Sequence, residues 1–228
     1  MKVTLLVYAK NEVESMPRVM PQIKKEWCDQ IVVIDGGSTD GTIEYSRSQG
    51  YEVYVQNGGW WQEAYSEGHK LAQGDIIVDF SPDGNSKPEL IPVLAEKIRQ
   101  GYDMAVASRY MAGAKSEDDT LLTRFGNFCF TQLINLLFGS KYTDSLVIFR
   151  AYRKSLLKEI GMDQSLGDTV TVQISVRCAK FKKRVIDVPA DEPKRIGGRT
   201  KMNAFRDSLV GLICIFKELF FHPPKPQR

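Results

Sequence analysis

The chain has 228 residues, 43% of them apolar, and a formal net charge of +3. This size and composition are typical of one globular domain and exclude a disordered segment. Its four cysteines form no Cys-x-x-Cys pair and it has two histidines, which argues against a zinc site or a disulfide framework and favours a reducing, cytoplasmic compartment. No apolar run reaches the roughly 18 to 20 residues of a membrane-spanning helix.

The first half of the chain alternates short apolar runs with helical patterns. The predicted strands cover residues 3–8, 30–35, 51–56, 75–80 and 104–107, and the predicted helices cover 11–27, a segment that runs to Gly50, 64–72 and 90–100. Pro17 and Pro21 make the first helix irregular. His69 is interpreted as a surface or helix-capping residue. Strands that alternate with helices at this spacing predict an α/β fold with a doubly wound, mostly parallel sheet.

The part of the chain after residue 110 is richer in helices. Helices are predicted over 121–138, 168–181 and 203–221, with one strand over 185–188. Apolar residues recur at helical spacing in the first and last of these helices, so each has an apolar face that packs on the sheet or lies in a membrane interface. We divide the chain into a main domain, 1–203, and a C-terminal amphipathic helix with a proline-rich tail, 204–228.

Positive charge is concentrated near the C-terminal third. Residues 177–206 contain ten Lys or Arg against three Asp or Glu, a local net charge of +7. Such a segment predicts an anionic partner, which would be a phosphate, a lipid headgroup or a nucleic acid. A nucleic acid is disfavoured because the cluster lacks interleaved aromatic residues and a docking motif.

Carboxylates follow three of the predicted strands. Glu12, Asp35 and Asp83 come at or just after the ends of strands one, two and four, and the carboxyl ends of parallel strands meet at one edge of the sheet, where open α/β folds bind ligands. Glu12 and Asp35 could accept hydrogen bonds from a nucleobase or a ribose, or could cap turns and helices. Asp83 and Asn85 offer the oxygen ligands that Mg²⁺ or Mn²⁺ prefers.

Several motifs carry a family resemblance. Asn11-Glu12, residues 32–42, Asp83-Gly84-Asn85 and residues 107–110 together resemble the family-2 glycosyltransferases, which have the GT-A fold. Asp144-Ser145, residues 149–153 and residues 195–202 are similar to segments of the polyprenyl-phosphate sugar transferases, among them the dolichyl-phosphate mannose synthases. The resemblance covers roughly residues 3 to 203.

The resemblance implies roles for individual residues. It implies that a nucleotide-diphosphate sugar binds through Glu12, Asp35, Asp83 and Lys201, that the acceptor phosphate binds Arg109, Arg124 and Arg195, that Mg²⁺ or Mn²⁺ binds Asp83 and Asn85, and that Asp83 and Asp144 are catalytic. One departure concerns the metal motif, where the family carries Asp-x-Asp. Ser81 stands in the first position, and Asp79 is the residue that could replace the missing carboxylate.

The expected reaction is an inverting transfer of a sugar to a polyprenyl (dolichyl-type) phosphate, with peripheral contact at the cytoplasmic face of a membrane. Two alternatives stay open. The acceptor could be a glycan hydroxyl, as in surface-polysaccharide assembly, and Asp144 or Asp168 would then take its proton. Alternatively, the chain could bind a nucleotide sugar without turnover. The sequence indicates no oligomeric state.

Overall fold

A computed structural model describes residues 1–56, 61–162, 169–197 and 204–221 of the chain. The strands are β1 (Val3–Ala9), β2 (Gln30–Asp35), β3 (Glu52–Val55), β4 (Ile76–Phe80), β5 (Met104–Ser108), β6 (Arg150–Arg153) and β7 (Val185–Pro189). The helices are α1 (Met16–Val19), α2 (Thr42–Ser48), α3 (Trp61–Leu71), α4 (Leu90–Arg99), α5 (Leu121–Phe138), α6 (Leu156–Glu159), α7 (Val170–Lys180) and α8 (Ala204–Phe220).

The seven strands found in the described ranges form one sheet in the order β3-β2-β1-β4-β6-β5-β7. The pairs β1–β2, β1–β4, β2–β3 and β5–β7 are parallel, whereas β6 lies antiparallel between β4 and β5. The prediction of a mostly parallel α/β sheet is therefore confirmed. Because β1, β2, β4 and β5 run the same way, the loops that follow them open at the same edge of the sheet.

Helices cover both faces of the sheet, and the strands are buried on both sides as parallel strands require. Leu6 and Tyr8 of β1 face one apolar cluster, which includes side chains of α3, α5, α7 and α8. Leu5 and Val7 face the other, which includes side chains of α1 and α4. The apolar runs that predicted the strands are thus explained by burial on two faces.

The predicted helix over 11–27 is wrong in extent. The α-helix covers only Met16–Val19 and is followed by two 3₁₀ turns, Met20–Gln22 and Lys25–Trp27. Pro17 occupies the first turn, where a missing N–H costs nothing, but Pro21 lies where a continuing helix would need a donor. The backbone turns extended at Ile23, with φ −77° and ψ 114°.

Helix α8 is attached to α7 by a buried ion pair. The Arg177 guanidinium donates to Glu218, with an Nη2–Oε1 distance of 2.9 Å, and both side chains are almost fully buried. Gln173 also donates to Glu218, and Lys180 donates to the carbonyl of Leu219 near the end of α8, at 3.2 Å. The C-terminal helix therefore packs as part of the body.

Candidate active site

The turn after β2 uses the oxygens of Asp35. Its Oδ1 accepts from the backbone N–H groups of Gly37 (2.9 Å) and Ser38 (2.6 Å), and its Oδ2 accepts from the Ser38 hydroxyl (2.7 Å). The Asp35 side chain is fully buried. In this conformation Asp35 shapes the loop, which is the capping alternative that the sequence left open. The Lys10 and Gln56 side chains lie next to Gly36.

Glu12, which follows β1, also forms hydrogen bonds at this edge of the sheet. Its Oε2 accepts from the Ser15 hydroxyl at 3.0 Å, and its backbone N–H donates to the Thr42 hydroxyl at 2.8 Å. The side chain is 7% exposed. Asn11 adopts a positive φ of 52° and its side-chain oxygen accepts from the Thr39 N–H at 2.9 Å. These bonds hold the loops after β1 and β2 against each other.

Asp83 forms a corner with the loop that follows β7. Arg195 donates to Asp83, with an Nη2–Oδ2 distance of 2.9 Å, and the Ile196 N–H donates to the Asp83 carbonyl at 2.8 Å. Gly84 has φ +89°, and a Cβ placed there would lie 2.6 Å from Ile196 Cγ1. The two loops therefore touch where only glycine fits. Arg195, expected beside the acceptor phosphate, lies here instead, next to the predicted metal ligand.

The oxygen groups at this corner suit a hard divalent cation. Asp83 supplies a carboxylate, Asn85 an amide and Ser81 a hydroxyl, and Mg²⁺ is commonly held by one or two carboxylates together with substrate phosphates and water. The Asn85 N–H donates to Asp83 Oδ1 at 3.2 Å, which orients the carboxylate. No group of three His, Cys, Asp or Glu with metal-binding geometry occurs in the described parts of the chain. A cation at this corner would therefore need further oxygen ligands from a bound phosphate or from water.

Asp79 does not replace the missing carboxylate. It is fully buried under α3, and its oxygens accept from the hydroxyls of Tyr8 (3.1 Å), Tyr65 (2.8 Å) and Tyr152 (3.2 Å). Burial raises the pKa of Asp79 to about 7, although these hydroxyls and the nearby Arg150 act in the opposite direction. The open question about Asp79 is thus answered: it belongs to the core.

A stack of rings leads from Asp79 to the surface. Neighbouring rings of Trp61, Tyr8, Tyr65, His69 and Tyr152 lie 5.1–5.7 Å apart. The interpretation of His69 as a surface or capping residue is wrong, because its ring nitrogens contact the Tyr65 carbonyl (2.6 Å) and the Tyr152 hydroxyl (2.8 Å). Burial lowers the pKa of His69 to about 4. Trp61, at the outer end of the stack, is exposed.

A second group of charges lies at the end of β5. The Arg109 guanidinium donates twice to Asp144, Nε to Oδ2 at 2.6 Å and Nη2 to Oδ1 at 3.2 Å, and once to Glu192, Nη1 to Oε1 at 3.3 Å. Asp144 is fully buried. Two residues predicted for separate roles are therefore paired with each other. Glu192 was not predicted. The sequence feature that could have indicated it is the acidic pair Asp191-Glu192, which lies just after β7 within a basic segment.

A cavity of about 370 Å³ lies beside this group. It is lined by Arg109, Tyr110, Ala114, Lys115, Ser116, Glu117 and Arg124. The structure thus brings together two of the three arginines predicted to bind the acceptor phosphate, Arg109 and Arg124. Lys201 and Asp168, which also figured in the predictions, lie outside the described residues.

Helix α5, which contributes Arg124 to the cavity, and helix α8 both expose apolar side chains. The residues of this α5–α8 apolar face are Leu121, Leu122, Phe125, Phe128 and Leu136 on α5, and Leu209, Ile213, Phe216 and Phe220 on α8. A Cβ on Gly211 of α8 would lie 3.1 Å from the Phe130 ring of α5, so this ring packs against the backbone of α8. Each helix buries its other face, including Ile134 and Ile215. No helix in the described part of the chain is both long and apolar enough to cross a membrane.

Comparison with known proteins leads to the family that the sequence motifs resemble. The family model described as glycosyl transferase family 2 matches residues 4–161. An undecaprenyl-phosphate mannosyltransferase of Micrococcus luteus is 27% identical over 217 residues, 89% of this chain and 88% of the relative. A dolichyl-phosphate hexose transferase of Haloferax volcanii is 27% identical over 197 residues, 86% of this chain and 84% of the relative.

Solved structures share the fold. The glucosyl-3-phosphoglycerate synthase of Mycobacterium tuberculosis, solved in complex with Mn²⁺, UDP and phosphoglyceric acid, superposes with a TM-score of 0.72 at 16% identity and covers 99% of this chain and 80% of that one. The sheet and its helices therefore form a GT-A-like α/β fold. The same neighbour has also been solved with Mg²⁺ and UDP.

Proposed function

The chain belongs to glycosyl transferase family 2, and from this premise we propose that it moves a sugar from a nucleotide-diphosphate sugar to a polyprenyl (dolichyl-type) phosphate. The observation that carries the proposal is the cavity of about 370 Å³, in which Arg109, Lys115 and Arg124 lie beside an exposed apolar face. A lipid phosphate needs cations for its head and apolar surface for its tail. The relatives from Micrococcus luteus and Haloferax volcanii, an undecaprenyl-phosphate mannosyltransferase and a dolichyl-phosphate hexose transferase, support such an acceptor.

The donor would lie along the edge formed by the loops after β1, β2 and β4. Glu12 and Asp35 hold the two loops that shape its nucleoside end. Asp83 and Asn85 would hold a divalent cation, which would neutralise charge on the diphosphate when bound. Arg195 lies 2.9 Å from Asp83 and would contact the diphosphate from the opposite loop. Lys201 is proposed for the same role.

In the transfer, an oxygen of the acceptor phosphate forms a new bond to the anomeric carbon while the bond from that carbon to the leaving diphosphate oxygen breaks. Attack from the face opposite the leaving group inverts the anomeric centre. Two anionic phosphates must approach each other, and Arg109, Arg124 and Arg195 would offset their repulsion. Orientation of the two reactants and this compensation of charge would supply most of the rate enhancement.

The state of Asp144 favours a phosphate acceptor over a glycan hydroxyl. A hydroxyl acceptor requires a base to take its proton, and Asp144 was one of the two candidates, with Asp168 the other. Both of its oxygens are bound by Arg109 and the side chain is fully buried. An acceptor that is already an anion needs no base, so Asp144 would act by holding Arg109 in place.

We also propose that the α5–α8 apolar face lies in the interface of an anionic bilayer, at the cytoplasmic face of the membrane. Leu121 is 88% and Leu136 is 82% exposed, and such a stripe gains free energy when it leaves water. Arg124 lies in the first turns of α5 and also lines the cavity, so a lipid phosphate could reach the cavity with its tail along α5. The segment 204–228 would serve this contact.

Flotation with anionic liposomes tests the membrane contact. The paired substitution Phe125→Ser and Phe216→Ser removes one exposed aromatic ring from each helix and should weaken partitioning roughly 100-fold, since each ring contributes about 1.5 kcal/mol or more when buried. Val93→Ser on α4 is the matched control, because Val93 is an exposed apolar residue on a helix of the other sheet face. Equal flotation of all three proteins would contradict the contact.

Two experiments test the chemistry. A thermal-shift screen of UDP, GDP, CDP and dTDP sugars with Mn²⁺ should show one nucleotide that raises the Tm, because ligands of the native state stabilise it by mass action. The selected sugar should then be transferred to citronellyl phosphate, a short prenyl phosphate. Asp83→Ala should lower the transfer rate by about 100-fold or more at saturating metal. Nucleotide binding without any product would favour the non-catalytic alternative.

A further inference from the structure

Arg109 is held between two carboxylates that differ in how firmly they bind it. Asp144 makes two contacts with the guanidinium, at 2.6 and 3.2 Å, and also accepts from the N–H groups of Arg109 (3.4 Å) and Leu146 (3.3 Å). Glu192 makes one contact, at 3.3 Å. One cation thus faces two anions, and a bidentate, fully buried partner is harder to displace than a single long contact.

Glu192 is positioned by the segment that lines the cavity. The Ser116 hydroxyl donates to Glu192 Oε2 at 2.5 Å. The Glu192 N–H donates to the Lys115 carbonyl, and the Glu117 N–H donates to the Glu192 carbonyl, both at 2.8 Å. Residues 115–117 therefore place a carboxylate at the edge of a cavity whose other charged groups include Lys115 and Arg124.

We propose that Glu192 is an internal competitor for the acceptor phosphate: in the free enzyme its carboxylate occupies Nη1 of Arg109, and the phosphate of the acceptor takes that position when it binds. This inference rests on the proposed function. Its basis is that Nη1 of Arg109 cannot direct the same N–H to a phosphate oxygen while it donates to Glu192. A phosphate at this position would also lie next to the Glu192 carboxylate, and two adjacent anions repel each other.

The surroundings of Glu192 suit a carboxylate that a phosphate can displace from Arg109. Its side chain is 10% exposed and that of Arg109 is 14% exposed. Arg109 lines the cavity, and Glu192 contacts it and Ser116, a second lining residue. Burial raises the pKa of Glu192, with Asp119 acting in the same direction and Arg109 and Ser116 in the opposite one. The charge of Glu192 therefore costs free energy in this site, unlike a carboxylate in a fully compensated ion pair.

Removal of the negative charge of Glu192 should tighten binding of the acceptor. Glu192→Gln keeps one oxygen that can accept from Arg109, and its new amide N–H can donate to the Ser116 hydroxyl, so the fold and the segment 115–117 should be retained. We expect KM for citronellyl phosphate to fall about 10-fold, with kcat and the donor KM within twofold of wild type. Asp191→Asn is the matched control, because it removes the same charge one residue away, where Asp191 pairs with Lys87 at 2.8 Å. Asp191 also accepts from the Lys115 N–H at 3.0 Å, a bond that the asparagine oxygen can keep, so the acceptor KM should stay within twofold.

Calorimetric titration of citronellyl phosphate without donor provides a readout independent of turnover. Tighter binding to Glu192→Gln than to wild type, with unchanged weak binding of the uncharged alcohol citronellol, is the expected result. If wild type binds and uses citronellyl phosphate but Glu192→Gln leaves its Kd and KM unchanged or raises them, the competitor role is refuted and the proposed function stands. If neither protein binds citronellyl phosphate, the proposed function fails, and this inference fails with it.

Discussion

The substitution Asp79→Asn should make the stability of the protein less dependent on pH. Asp79 is fully buried among the hydroxyls of Tyr8, Tyr65 and Tyr152, and burial raises its pKa from 3.8 to about 7. Between these two values the native state holds a proton that the unfolded chain has lost. The free energy of unfolding must therefore fall as the pH rises through this window.

The magnitude follows from the size of the pKa shift. About three pKa units at 1.36 kcal/mol each amount to about 4 kcal/mol lost between roughly pH 4 and pH 7. Asparagine resembles the protonated form of Asp79 in shape and carries no charge. Wild type and Asp79→Asn should thus have similar stability near pH 4, and the variant should be more stable by about 4 kcal/mol at pH 8.

Urea unfolding followed by tryptophan fluorescence at several pH values measures this difference. Other carboxylates contribute to the slope of both proteins, so the difference between the two curves is the quantity to compare. Glu44→Gln, which removes an exposed carboxylate on α2, is the control and should follow wild type. Parallel curves for wild type and Asp79→Asn would refute the account of Asp79 as a buried, protonatable group.

Three further predictions concern other parts of the molecule. Glu218→Ala leaves the buried Arg177 without its carboxylate and should lower the free energy of unfolding by about 3 to 5 kcal/mol in urea titrations; a loss below 1 kcal/mol would contradict a buried pair. Gly84→Ala should lower the Tm more than Gly113→Ala, because both glycines have a positive φ but only the first would place a Cβ against Ile196; equal losses would show that the contact does not matter. EDTA should suppress transfer and added Mn²⁺ should restore it, whereas full activity in EDTA would exclude the cation proposed at Asp83.

Much of the fold was predictable because its signals are local. The runs that became β1, β2 and β4 are apolar on both faces, and a short turn follows each one. Strand β6 was not predicted from periodicity, since Arg150 reads as a surface residue. In the fold Arg150 is fully buried and donates to the Thr171 carbonyl and the Ser175 hydroxyl, both in α7. The local sequence does not reveal these partners.

The site was predictable as an edge of the sheet, but the pairing of its charges was not. Asp79 and Asp83 both lie at or just after the end of an apolar run, so the sequence does not distinguish their roles. Asp79 belongs to the core because tyrosines from α3, β1 and β6 donate to it, and these elements are distant in sequence. Glu192 lies 83 residues from Arg109. Composition showed a basic C-terminal third, yet which carboxylates would neutralise which arginines depends on how β5 and β7 pair.

The central claim, that the acceptor is a lipid phosphate, is tested most directly by a competition in one reaction. Citronellyl phosphate and citronellol are supplied at equal concentration with the nucleotide sugar selected by thermal shift, and the products are separated by mass spectrometry. The account predicts that the sugar appears on the phosphate and is at least 100-fold rarer on the alcohol, since both oxygens of Asp144, a candidate base for a hydroxyl acceptor, accept from Arg109. Comparable transfer to the alcohol would contradict it.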